Sequence, residues 1–297
     1  MIVEFLFYVF AAGVVIAALV YFGDRFEREP LFRVFNAIIL GIAATLIVII
    51  LKRVLPLPSY SLIPTLGNTI SVNFLSVGLV EELAKFFMIL FFIYKWDDFN
   101  EYYDGPLYAG LVGIGFAMSE NLAYMIKPLI GLISSDFILD SGVARSIALN
   151  VLVKFRLYPG HFLFGFIAGY FIAKAKLRKE EENAKEMLYI GIGFLLALCM
   201  HGIYNTIAVM GNLIQFQGYV LLLLLIALFV AWQSRKKSVF RKEILAKLPE
   251  RERNVLTDIL LAGKEEKITA GYVIFLCILV LVCQFMVYFL TAAILSL

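Results

Sequence analysis

VFNAIILGIAATLIVIIL, residues 34–51, runs for eighteen residues without a charge. A helix in the core of a soluble protein buries one apolar stripe and leaves the other side polar, whereas this stretch is apolar all round. Crossing the hydrocarbon of a bilayer takes about 20 apolar residues at about 1.5 Å of rise each. The stretch NLIQFQGYVLLLLLIALFVAWQ, residues 212–233, has the same character. Comparable stretches at 1–22, 70–94, 105–127, 148–174, 187–209 and 271–296 complete the set. The expected fold is all-α, a polytopic membrane helix bundle of about eight transmembrane helices. Composition agrees: 62% of the 297 residues are hydrophobic and 16% charged, against roughly 25% charged in soluble domains. The segment 1–22 carries Glu4 and has no basic leading region, so it reads as a retained span and not as a secretory signal.

The charges lie mainly between these stretches. Loops 23–33, 95–104, 174–186 and 234–270 hold nineteen Lys and Arg, while Lys52, Arg53, Lys127, Arg145, Lys154 and Arg156 make six on the alternate side. The positive-inside rule then puts the basic loops in the cytoplasm and both termini outside, in a multi-pass protein of the plasma membrane. The net charge of +3 is a membrane-flanking pattern and gives no reason to expect a nucleic-acid partner. Three cysteines, Cys199, Cys277 and Cys283, all sit in apolar stretches, odd in number and without CxxC spacing, so no disulfide framework is expected. Three parts follow: a bundle over 1–233, a basic cytoplasmic helical segment over 234–270, and a C-terminal span within 271–297. No inverted repeat is visible, which weakens the commonest transporter architecture.

Ionisable side chains inside a span cost about 2.5–3.5 kcal/mol at the bilayer centre and mark function by default. This chain has Glu81, Glu82 and Lys85 in VGLVEELAKFF, Glu120 beside Asn121 in GIGFAMSENLAY, His161 in HFLFGFIAGY and His201 with Asn205 in HGIYN. Lys85 stands four residues after Glu81 and three after Glu82, so it can reach either carboxylate along one helix face. Gly113 upstream of Glu120, and Gly165 and Gly169 at four-residue spacing after His161, mark seams where helices approach closely. With the spans threaded alternately, Glu81, Glu120, His161 and His201 all fall between the midplane and the outer surface. A carboxylate that activates water, with imidazole and amide groups to orient it, suits hydrolysis without a covalent intermediate.

Other protease signatures fail on inspection. There is no HExxH and no GxSxG, and Tyr103–Asp104 supplies a YD pair without a following GxGD. The segments EELAK (81–85), YDGPLYAGLVGIGFAMSENLAY (103–124), RLYPGHFLFGFIAGY (156–170) and HGIYN (201–205) together resemble the PrsW-like intramembrane proteases, a family grouped with the CAAX prenyl endopeptidases. The likeness covers about 78–205, so the protease-like core is taken as about 70–209. It implies a prokaryotic membrane endopeptidase that makes the first cut in a membrane-anchored substrate, an anti-sigma factor in stress signalling.

Carried over on the matching motifs, Glu81 and Glu82 are the essential acidic pair with Glu81 as general base. Glu120 and His161 complete the water site, and His201 and Asn205 orient water or the oxyanion. Lys85, Arg156 and Asn121 tune the site or bind substrate. Where the CAAX enzymes carry FxxxH, this chain has FxxxE at Phe116 to Glu120. The metal is open at this level. Two histidines and several carboxylates suffice for a three-ligand divalent site such as zinc, and coupled carboxylates can also work without one. The competing functional class is a proton-coupled transporter relaying protons through the same Glu and His residues; a sensor or scaffold without chemistry is the third.

Overall fold

A computed structural model describes residues 2–24, 26–63, 65–134, 159–178 and 185–238. Arg156, Cys277, Cys283, the segment after Ser238 and the span expected over 271–296 lie outside the described residues. Among those described there are helices and connections but no strand.

Two helices open the chain, α1 (Ile2–Gly23) and α2 (Leu31–Val54). A rod of three parts follows: α3 (Leu66–Ser71), a π-helical stretch (Val72–Leu79) and α4 (Val80–Phe91). After a single 3₁₀ turn (Ile93–Lys95) come α5 (Asp104–Ser134), α6 (Gly160–Leu177), α7 (Glu186–Met210) and α8 (Leu213–Lys236). Local sequence sets several of these ends. Thr65 caps α3 by accepting from the Asn68 N–H, and Asn212 forms a reciprocal capping box with Gln215 at α8. Helix α6 begins at Gly160 with Pro159 as its non-helical N-cap, a place that suits proline better than a helix interior; residues 148–158 of the fifth expected span lie outside the described residues. His161 therefore lies in the first turn of α6.

The faces of α2 show which solvent the bundle is built for. Val34, Ala37, Gly41, Ala44 and Val48 point into the protein, yet Phe35, Ile39, Leu46 and Ile50 on the other side are all more than half exposed. An apolar outer face of this kind suits lipid and would be a liability in water. Among the described residues three helices, α2, α7 and α8, are long and apolar enough to cross a membrane, and α1 carries a shorter apolar stretch, Phe10–Gly23.

Helix α5 is central, packing on α2 and α6, while α6 packs on α7. Gly105, Ala109 and Gly113 of α5 meet Gly169, Gly165 and His161 of α6 in antiparallel register. A Cβ added at Gly165 would stand 2.2 Å from the Ala109 carbonyl oxygen, and one at Gly113 would stand 2.2 Å from that of His161. The two backbones are therefore in direct contact, as the four-residue spacing of small residues suggests. This contact is what carries His161 against the second half of α5. On the other side Gly202 of α7 receives the ring of Phe74 from the π-helical stretch, bringing the start of α4 against His201.

Candidate functional site

Four helices contribute one cluster. Glu81 and Glu82 open α4, Lys85 follows one turn on, Glu120 comes from α5, His161 from α6 and His201 from α7. Glu81, Glu82, Lys85 and His201 are all buried. π-Helical turns are rare and gather at functional sites, and here one leads directly into the acidic pair.

The partners divide the two glutamates. Lys85 Nζ donates to Glu82 Oε1 at 2.6 Å, and His201 Nδ1 meets the same oxygen at 2.7 Å. A carboxylate only accepts when ionised, so Nδ1 carries the proton, and in the neutral ring Nε2 of His201 is then the nitrogen with the lone pair. That nitrogen faces Glu81 Oε2 at 3.8 Å. Glu81 Oε1 is held by Lys52 Nζ of α2 at 3.0 Å, but Oε2 is buried with no hydrogen-bond partner. A buried unpartnered carboxylate oxygen is costly unless something else satisfies it.

His161 is held from both sides. Its Nε2 meets Glu120 Oε2 at 2.9 Å and its Nδ1 meets Lys85 Nζ at 3.1 Å. Aromatic walls fix the rings: Phe164 stacks on His201 at 5.1 Å between centroids, and the His161 ring meets His201 edge-on at 4.9 Å. Phe116 lies 5.0 Å from the His161 ring and places its face 4.9 Å from Lys85 Nζ, which holds the ammonium by a cation–π contact.

Glu81, His161 and His201 each offer one donor atom within 4.8 Å of the others. Two imidazoles and one carboxylate form a donor set found in catalytic zinc sites, which leave a position for water. The orphaned Glu81 Oε2 and the unengaged His201 Nε2 fit such an ion directly, whereas His161 would exchange one partner for it. Each histidine is also backed by a carboxylate, His201 by Glu82 and His161 by Glu120. Outer partners of this type orient imidazole ligands and strengthen their donation. The residues present therefore fit a divalent metal.

The remaining candidates are more peripheral. Asn121 is buried beside Glu120. Asn205 is half-buried one turn beyond His201 and has no hydrogen bond to the cluster among the described residues. Lys52 is the site residue missed in the sequence: it was read only as a flanking charge, since nothing local shows that the end of α2 leans on α4. Nearby, Asn73 of the π-helical stretch links Tyr60, whose hydroxyl donates to it at 2.6 Å, to Thr206 at 3.3 Å, tying the 55–65 connection to α7.

Comparison with known proteins bears on this geometry. A family model described as PrsW family intramembrane metalloprotease matches residues 29–232. "Protease PrsW" of Geobacillus kaustophilus (strain HTA426) is 30% identical over 227 residues, covering 76% of this chain and 87% of that protein. The protein of the same name from Clostridioides difficile (strain 630) is 26% identical over 71% of this chain and 79% of its own length. That from Bacillus subtilis (strain 168) is 26% identical over 77% and 91%. No solved structure matches. The relatives are named as proteases, and nothing among them supports the transporter reading.

Proposed function

The chain belongs to the PrsW family of intramembrane metalloproteases, and on that premise we propose that Glu81, His161 and His201 hold its metal and that Glu120 moves the proton during hydrolysis. The observation that carries this is the convergence of the three donors within 4.8 Å, with Glu81 Oε2 buried and unpartnered. Glu81 thereby passes from general base, its role in the sequence reading, to ligand. Its Oε1 is committed to Lys52, and its Oε2 lies among the imidazoles.

When bound, a zinc-class ion supplies Lewis acidity, polarising the peptide carbonyl and making water acidic enough to lose a proton near neutral pH. Glu120 is the acid with access: its side chain is 17% exposed, against 3% for Glu81 and 2% for Glu82. It takes the proton from the attacking water and returns it to the departing amine nitrogen. Glu82 stays ionised between Lys85 and His201 and keeps the His201 proton on Nδ1. The uncommitted amide of Asn205 donates to the oxygen that becomes negative as the carbonyl is attacked. Phe116 and Phe164 keep bulk water from the site, which strengthens these interactions.

The substrate is a membrane-anchored protein cut in or near the outer half of the bilayer, an anti-sigma-factor-like protein. The bundle crosses the plasma membrane eight times with both termini outside, Asn121 beside the acid helps to seat the substrate, and Arg156 contacts its backbone. This topology rests on the nineteen-to-six division of basic residues between alternate loops.

The test is cleavage of a membrane-anchored reporter by purified, reconstituted protein, with bound metal counted in the same samples. Wild type should carry one zinc-class ion per chain and lose cutting to a chelator. Glu81→Gln, His161→Ala and His201→Ala should lose both ion and cutting while remaining folded. Full cutting by a folded, metal-free His201→Ala variant would remove the assignment.

A further inference from the structure

A second acidic cluster lies at the other end of α5. Asp24 follows α1, Glu29 precedes α2 and Asp104 is the first residue of α5; all three are buried, and each offers an oxygen within 4.8 Å of the others. From Asp104 to Glu120 is sixteen residues, about 24 Å at the helical rise, so this cluster is separate from the Glu81 site. The two mark opposite ends of the bundle.

Each carboxylate is fastened through a donor. Asp104 Oδ2 accepts from the backbone N–H of Asn100 at 2.8 Å and of Glu101 at 2.6 Å. Glu29 Oε2 accepts from the Tyr108 hydroxyl, and Asp24 accepts from the backbone N–H groups of Phe26 and Glu27. What distinguishes the cluster from a merely polar patch is the remaining oxygens. Asp24 Oδ2 and Glu29 Oε1 are inaccessible to water and unpartnered, on side chains of residues only 2% exposed.

Cations lie near the cluster without pairing to it: the Arg235 guanidinium sits against Gly23 and over the Tyr103 ring at 5.1 Å. Among the described residues no Lys or Arg nitrogen forms an ion pair with Asp24, Glu29 or Asp104. Lys176 is close enough to feel Asp104 and Glu29, yet its ammonium donates to the Trp96 carbonyl at 2.5 Å and covers the Phe99 ring. Burial first, and then the nearby Glu101 and Glu29 charges, push Asp24 up to about 7. Burial likewise pushes Glu29 up to about 7, against the opposing hydrogen bonds from Tyr108 and Asp104. Three buried acids with two orphaned oxygens are satisfied either by protons shared among them or by a positive centre that reaches all three at once, and the geometry suits the second.

We propose that Asp24, Glu29 and Asp104 form a hard-cation site that takes a divalent ion such as Ca²⁺ or Mg²⁺ and clamps the α1–α2 connection to the start of α5. An all-oxygen, all-carboxylate donor set selects this class and not the softer ions favoured by imidazole. The clamp gathers further elements. Glu101, three residues before Asp104, accepts from Ser238 just past α8, and Tyr103 donates to the Val20 carbonyl of α1 at 3.1 Å. An ion here would join α1, α2, α5 and α8 at the end of the bundle remote from the Glu81 site.

The experiment uses the full chain in detergent, with Mn²⁺ as the probe and its free electron-spin signal as the readout. His161→Ala serves as the background, which disables the first site. One Mn²⁺ per chain is expected to bind, Mg²⁺ or Ca²⁺ should compete with it, and adding Asp24→Asn or Asp104→Asn should abolish it. No saturable uptake in the background, the result for acids that simply share protons, overturns the proposal, as does uptake unchanged in both Asn variants. Thermal unfolding guards against a variant that does not fold. Added Mn²⁺ should raise the midpoint of the His161→Ala chain by several degrees, and a midpoint insensitive to Mn²⁺ also overturns it.

Discussion

His201 Nδ1 lies 2.7 Å from Glu82 Oε1, across the boundary between α7 and α4. Lys85 binds the same oxygen at 2.6 Å, so the carboxylate is held ionised by a cation while it holds a proton on the imidazole. The result is a histidine whose tautomer is fixed and whose Nε2 is left for a ligand. In the proposed mechanism Glu82 acts on the reaction through His201, as a positioning residue.

Glu82→Gln should therefore weaken metal binding without removing a ligand. An amide oxygen accepts less strongly than a carboxylate, and Lys85 loses its counter-charge. Loss of an outer partner of this kind costs about 10–100-fold in metal affinity or activity. Competition with a chromogenic chelator should show that drop, and excess metal should restore most of the cleavage rate. A variant as inactive at saturating metal as without it would mean that Glu82 acts directly in the reaction.

Glu120→Gln should divide the functions the other way. Its bond to His161 Nε2, 2.9 Å in the native chain, survives in weaker form because an amide oxygen still accepts. The content of zinc-class metal should stay near one per chain, while kcat falls by about 10²–10⁴-fold, the range for a lost general acid–base. Loss of the metal together with activity would return Glu120 to a purely supporting role and leave the proton with another group.

Much of this arrangement could be read from the sequence, for a physical reason. Charges are so costly inside a span that Glu81, Glu82, Lys85, Glu120, His161 and His201 stood out singly, and the alternation of helices placed them at similar depth. The glycine spacing foretold the α5–α6 contact. Lys52 could not be found in this way, because a lysine at a helix end is ordinary and only tertiary packing shows that it turns back to Glu81. The cluster of Asp24, Glu29 and Asp104 escaped for the same reason: acids in loops are unremarkable until folding buries them.

Lys52→Met tests the sign of an electrostatic effect. The Lys52 side chain is 39% exposed and its Glu81 partner 3%, so the lysine is partly screened, while its loss leaves the buried carboxylate without the partner of Oε1. Its positive charge nevertheless competes with a metal for Glu81. Removing it should raise metal affinity by a few-fold and lower the unfolding midpoint of the metal-free chain, with added metal restoring it. A fall in affinity in the same chelator competition would show instead that Lys52 orients Glu81 for its ligand role.

Gly165→Ala tests whether the site depends on backbone contact between α5 and α6. The new methyl group would stand 2.2 Å from the Ala109 carbonyl oxygen, too close for any contact, so the helices must separate. Overpacking of this kind costs about 1–3 kcal/mol, and the movement carries His161 away from Glu81 and His201. A lower unfolding midpoint and a reduced metal content are both expected. Gly191→Ala in α7 is the matched control: nothing lies within 4 Å of its added methyl, and alanine favours the helix over glycine by about 1 kcal/mol. That variant should keep its metal and unfold no earlier than the native chain. If Gly165→Ala behaves as the control does, the α5–α6 seam is slack enough to yield, and the position of His161 must be set by its bonds to Glu120 and Lys85 and not by the helix that carries it.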